Sequence, residues 1–174
     1  MKTPDIVLGG VLAGLALVIM LLGGVIPVAT YITPMLASLL LIGLLDRLKK
    51  PACFGWFAVT ALLGILLCPD RETALVFLAL GWYPIVCTDL NRLPKAFRLM
   101  VKLLIFNTAV GVMYGLMIFV FQMQALVEEA KEMTLWLLIL LLVLGNVTFL
   151  LFDRLLQVFR IYYHRRFGRP GSHN

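Results

Sequence analysis

Six long apolar runs, separated by short polar connections, constrain this chain more than any motif it carries. They cover about residues 6–26, 33–45, 52–68, 73–88, 99–121 and 134–152. A helix rises 1.5 Å per residue, so roughly 20 apolar residues cross a hydrocarbon core of about 30 Å. Runs that are continuous rather than alternating, and rich in Leu, predict helices instead of strands. With 62% hydrophobic and 14% charged residues in a 174-residue chain, and a mean hydropathy of +1.01, there is too little polar side chain to clothe a water-facing body. The expectation is an all-α polytopic membrane bundle of about six transmembrane helices. It forms a single transmembrane domain over residues 1–174 and ends in a basic tail, 153–174. The second run is short unless it begins near Val28 and takes Pro34 inside it. The first follows a single Lys and is longer than a usual signal-peptide core, so it is read as a span.

Charge gives the orientation. Lys and Arg collect beside cytoplasmic ends of spans, and a correct set of spans sends them to alternate connections. Lys2 precedes the first run; Arg47, Lys49 and Lys50 follow the second; Arg92, Lys95 and Arg98 follow the fourth, with Lys102 one turn inside; Arg154, Arg160, Arg165, Arg166 and Arg169 follow the sixth. Only Arg71 and Lys131, of 15 basic residues, fall on the other side, among Asp70, Glu72, Glu128, Glu129 and Glu132. Both termini are therefore expected in the cytoplasm. The net charge of +6 follows loop parity and gives no reason to expect nucleic acid as a partner. The tail, with Phe159, Ile161, Tyr162, Tyr163 and Phe167 among its arginines, reads as a helix end resting on anionic headgroups of the lipid bilayer.

No phosphate-cradling glycine loop, HExxH, GxSxG or pair of intramembrane carboxylates is present, so no catalytic residue is assigned and the chain is not read as an enzyme. Cys53, Cys68 and Cys87 show no CxxC or Cys/His spacing, and His164 and His173 lie in the basic tail. Neither a metal site nor a cofactor is expected.

What remains is a few small and polar residues at membrane depth. In the first span Gly9 with Ala13, and Gly10 with Gly14, form two overlapping small-xxx-small pairs that let another helix approach closely, either within the bundle or on a partner subunit. Gly81, Gly111, Gly115 and Gly145 are expected to serve close packing inside the chain. Counting along the spans at 1.5 Å per residue puts Asn146 about 18 Å from one face, Asn107 about 12 Å from the other and Tyr83 at about 15 Å, one shared level. Trp82 and Pro84 flank Tyr83, and Pro84, lacking an N–H, predicts a kink that frees the Leu80 carbonyl. Two readings stay open: a polar clamp between helices, or the inner end of an outward-facing small-molecule pocket, with Tyr31, Tyr114, Trp136 and the turn Asp70, Arg71, Glu72 above it.

A small chain with six spans, both ends inside, the first-span residues Gly9, Gly10, Ala13 and Gly14, and a proline-containing first outer loop (Ile26, Pro27, Val28, Ala29, Thr30, Tyr31) resembles the substrate-binding S components of energy-coupling factor vitamin transporters. Leu67-Cys68-Pro69-Asp70-Arg71-Glu72 followed by Gly81-Trp82-Tyr83-Pro84-Ile85 is also similar to a group of small uncharacterised membrane proteins of Firmicutes. The resemblance implies a multi-pass protein of a bacterial cell membrane. It implies a vitamin-like small-molecule ligand captured from outside, and a membrane coupling subunit with two ATPase subunits as partners. The alternative is a non-catalytic scaffold similar to MreD-type cell-shape proteins.

Overall fold

The computed structural model describes residues 3–24, 29–121 and 134–167, and among them all regular structure is helical. In chain order these helices are α1 (Thr3–Gly23), α2 (Ile32–Leu45), α3 (Lys50–Leu67), α4 (Arg71–Leu80), α5 (Tyr83–Leu90), α6 (Lys95–Phe119) and α7 (Leu135–Phe167). Five segments are long and apolar enough to cross a membrane: Thr3–Gly23, Lys50–Leu67, Arg71–Leu90, Phe97–Phe119 and Leu135–Tyr163, with Ile32–Leu45 as a shorter sixth. The protein is thus a polytopic helical bundle.

The fourth span is interrupted. Pro84 lies at the start of α5 and cannot continue the hydrogen-bond ladder of α4, so the expected kink is realised as a break at Gly81 and Trp82. Gly81 suits the joint because a Cβ there would lie 2.6 Å from the Phe77 carbonyl oxygen and 3.1 Å from the Phe57 ring of α3. At its other end α4 is capped by Asp70, whose carboxylate accepts from the Glu72 N–H at 3.0 Å and the Thr73 hydroxyl at 2.6 Å.

Side-chain ties fix which helix ends lie together. At one end Lys50 pairs with Asp89, Arg160 donates to the Thr88 hydroxyl, and Gly43 lies beside the Tyr163 ring. The α2–α3 turn, the end of α5 and the last turns of α7 therefore share this end, the one that carries the basic connections. At the opposite end Tyr31 donates to Glu72, Gly24 abuts Asp70, and Arg71 lies 5.3 Å over the Phe121 ring. Burial and the Glu72 carboxylate hold the Tyr31 phenol well above its ordinary pKa.

Burial follows the logic of a lipid solvent. Most of the Arg71–Leu90 span is buried, whereas little of the more apolar α1 and α7 is. Lipid tails are as apolar as Leu, so apolarity alone does not pull a helix to the centre. From Leu135 to Leu144 every residue of α7 is exposed. Among the described residues no other side chain or helix comes within 4 Å of a would-be Cβ at Gly111 and Gly115 of α6, so these do not show the internal packing expected of them, while Gly145 does pack, on Phe106. In α1 the same division appears. Gly9 packs on Trp56, whose indole N–H donates to its carbonyl at 2.8 Å, while Gly10 and Gly14 face open space.

α7 runs unbroken to Phe167, so the stretch read as a tail from residue 153 begins as a continuation of the last helix, which stays apolar as far as Tyr163. The proline loop at 26–28, the acidic connection at 128–132 and residues 168–174 lie outside the described residues. Cysteines introduced at Lys50 and Lys95 are expected to be protected from an impermeant thiol reagent in intact cells, and one at Arg71 to be labelled. Labelling at Lys95 with protection at Arg71 reverses the orientation.

Candidate functional site

Between α6 and α7 the polar residues form two separate layers. Nearer the basic end, Lys102 of α6 and Asp153 of α7 make an ion pair, 2% and 6% exposed respectively. The Lys102 Nζ donates to both carboxylate oxygens at 2.7 Å and to Asn91 Oδ1, also at 2.7 Å. Asp153 further accepts from the Tyr83 hydroxyl at 2.6 Å, the Cys87 thiol at 3.3 Å and Gln157 Nε2 at 2.8 Å. All three Lys102 donors are thus used. Charges buried at membrane depth are tolerable only when paired and hydrogen-bonded in this way. The layer fastens α5, α6 and α7 to one another.

Beside it a crevice of about 30 Å³ opens among Asp46, Cys87, Thr88, Asn91, Gln157 and Arg160. One water needs about 10–15 Å³ of such space. The crevice has room for a water or two and none for a metabolite.

The second polar layer is Asn107 with Asn146. Each amide nitrogen donates to the other side chain's oxygen, at 2.9 and 3.2 Å, and to the carbonyl four residues earlier in its own helix, Leu103 or Leu142, at 2.8 Å. Both N–H donors of both amides are consumed, which is the geometry of a clamp. Between the layers Phe106 and Phe149 stack with centroids 4.6 Å apart at 16°, and Tyr83 meets the edge of Phe149 at 4.9 Å.

Of the residues singled out from sequence, Asn107 and Asn146 meet as their depths require, but Tyr83 joins the ion-pair layer. The depth count locates a Cα, and the Tyr83 hydroxyl, at the far end of a long side chain, reaches Asp153. Tyr31 and Tyr114 come together at the opposite end beside Glu72. Trp136 stands apart on α7, 73% exposed. Trp82 lines a third feature, a cleft of about 400 Å³ between α4 and α6. Leu75, Leu78, Ala79 and Trp82 form one wall and residues between Leu104 and Leu116 the other. Among the described residues the Thr108 hydroxyl, in that second wall, makes no hydrogen bond to protein.

The Lys102–Asp153 pair escaped the sequence reading because Lys102 counts there with the basic connection one turn away and residue 153 reads as the start of the tail. Lys102 sits two turns into an apolar helix, and Asp153 interrupts Phe149-Leu150-Leu151-Phe152 and Leu155-Leu156. An ionisable residue of each sign within apolar runs is the signal that pointed to them.

Fold and site together define a multi-pass α-helical membrane protein with an ion-paired inner layer, an amide clamp and a lateral apolar cleft. No family model, curated protein or solved structure matches the chain.

Proposed function

We propose that this protein is a non-catalytic binding subunit of a bacterial cell membrane that takes a small, mainly apolar molecule into the α4–α6 cleft. A separate membrane coupling subunit and ATPases would supply energy, as in the S components it resembles. The cleft carries this reading. Its volume of about 400 Å³ falls in the range of about 300–1,000 Å³ usual for small-molecule sites. Apolar walls with an indole and one unspent hydroxyl have the usual composition of such a site. The ligand contacts assigned from sequence thereby move from the Asn pair to Trp82 and its neighbours.

A thermal-shift screen of vitamins and other sparingly soluble metabolites on purified protein tests it. Any hit should lose its stabilising effect in Ala79→Leu, which fills the cleft. Asn107→Leu and Asn146→Leu should lower the ligand-free melting point, each by about 0.6–1.7 kcal/mol in stability, and leave the ligand shift in place. Loss of the shift in the Asn variants with Ala79→Leu unaffected would return the site to the amide layer.

The scaffold reading has one observation of its own, the Asn107–Asn146 pair with every donor spent inside the chain. Pull-down from native membranes separates the two: coupling and ATPase subunits support the transporter, and cell-wall synthesis proteins support the scaffold.

A further inference from the structure

The cleft has a direction. On α4 the wall residues Leu75, Leu78 and Ala79 follow helical spacing from Arg71, and Trp82 lies just beyond, in the break, so the wall runs from a cation at the end opposite the basic one down to an indole. On α6 the wall spans the twelve-residue interval from Leu104 to Leu116, about 18 Å at 1.5 Å per residue. One leaflet of hydrocarbon is about half of a 30 Å core. By the count that puts Asn107 about 12 Å from the basic face, Leu104 lies about 7–8 Å from that face and Leu116 about 4–5 Å from the other, so the groove runs in the direction a lipid chain runs, from the leaflet opposite the basic end to somewhat past the midplane.

The charges at the mouth are sorted by side. Asp70 is turned toward α1, where it abuts Gly24, and is occupied by the α4 N-terminus; Glu72 is turned toward Tyr31 at the start of α2. Arg71 is turned the other way, over Phe121 beyond the end of α6, and among the described residues it makes no ion pair. Among the described residues, the charge on the cleft side of α4 at headgroup level is thus positive, and the N-terminal end of the helix dipole adds to it.

We propose that the cleft binds the single chain of an anionic amphiphile from the leaflet opposite the basic end, with its acidic head on Arg71 and its tail ending at Trp82. This rests on the cleft being the binding site. Arginine suits the head because its planar fork pairs with a phosphate or carboxylate through two parallel hydrogen bonds.

The test uses purified full-length protein in phosphatidylcholine nanodiscs. Lysophosphatidic acid and lysophosphatidylcholine carrying the same brominated chain are titrated, reading quenching of the Trp82 fluorescence, with Trp82→Phe to isolate its signal. The anionic probe should bind about tenfold more tightly, the worth of one charge-assisted contact. Arg71→Gln should erase that preference and Arg71→Lys should keep most of it. Ala79→Leu should weaken both probes, and inorganic phosphate should not compete. Equal binding of the two probes to the wild-type protein, with Ala79→Leu still weakening both, overturns the anionic head and leaves the cleft as the site. If Ala79→Leu changes neither probe, the cleft reading itself is wrong. Competition by phosphate at the concentrations of the lysolipid overturns the amphiphile in favour of a headgroup-only site.

Discussion

Asp153→Leu is expected to destabilise the protein by about 3–5 kcal/mol, the cost of leaving a buried partner charge unpaired. Lys102 would keep only Asn91 as a partner, since its other two bonds go to the lost carboxylate. Tyr83 and Gln157 would lose their acceptor as well. Lys102→Met combined with Asp153→Leu should be more stable than Asp153→Leu alone, recovering part of the loss. The charges are then both gone, and what persists is the desolvation of the Tyr83, Asn91 and Gln157 groups, about 1–3 kcal/mol for an unsatisfied group. Unfolding of the four proteins in mixed micelles gives the double-mutant cycle and the coupling directly. Additive losses, with the double variant worse than either single one, would mean that the two charges do not depend on each other and that the layer is not the tie between α5, α6 and α7.

Phe149→Ala is expected to cost about 2–3 kcal/mol, at about 24 cal/mol per Å³ for a cavity of roughly 100 Å³. The ring is fully buried, stacked on Phe106 and met edge-on by Tyr83, so the space it leaves lies between the two polar layers. In a membrane the unfolded side chain sits in lipid, and the transfer contribution that dominates in water largely disappears. Packing is what is lost. Phe149→Leu refills much of the volume and should recover at least half of that stability, measured in the same unfolding assay. Equal melting of wild type and Phe149→Ala would show that the layers are held by their hydrogen bonds alone.

Much of the architecture is legible from residue order because a bilayer leaves a chain few choices. Every backbone N–H and C=O in the hydrocarbon must be satisfied within a helix, so run lengths translate into spans. Pro84 announced a kink in the fourth span for the same reason, a missing backbone donor, whereas Gly81 was legible only as a close-packing position. The α7 boundary was less legible. A charge that looks like the end of an apolar run is indistinguishable, in one dimension, from a charge that finds its counterion across the bundle. Gly10 and Gly14 show the converse limit. Their spacing equals that of a packed interface, yet among the described residues nothing approaches them, while their neighbour Gly9 meets Trp56 of α3.

By itself, then, the order of residues determined the solvent, the helical class, the approximate spans and the alternation of basic connections, because each depends on local length, composition and charge. It also placed Asn107 and Asn146 at one depth, since depth along a straight helix is a count. Partnership was decided only by tertiary structure. Whether Lys102 meets Asp153, whether Tyr83 turns to the carboxylate or to the amides, and whether Trp82 faces core or cleft depend on helix rotation and on the break at Gly81. In lipid no gradient of apolarity fixes those rotations. They are set by the few buried polar groups that must find one another, and such pairings join residues as distant in sequence as Tyr83 and Asp153.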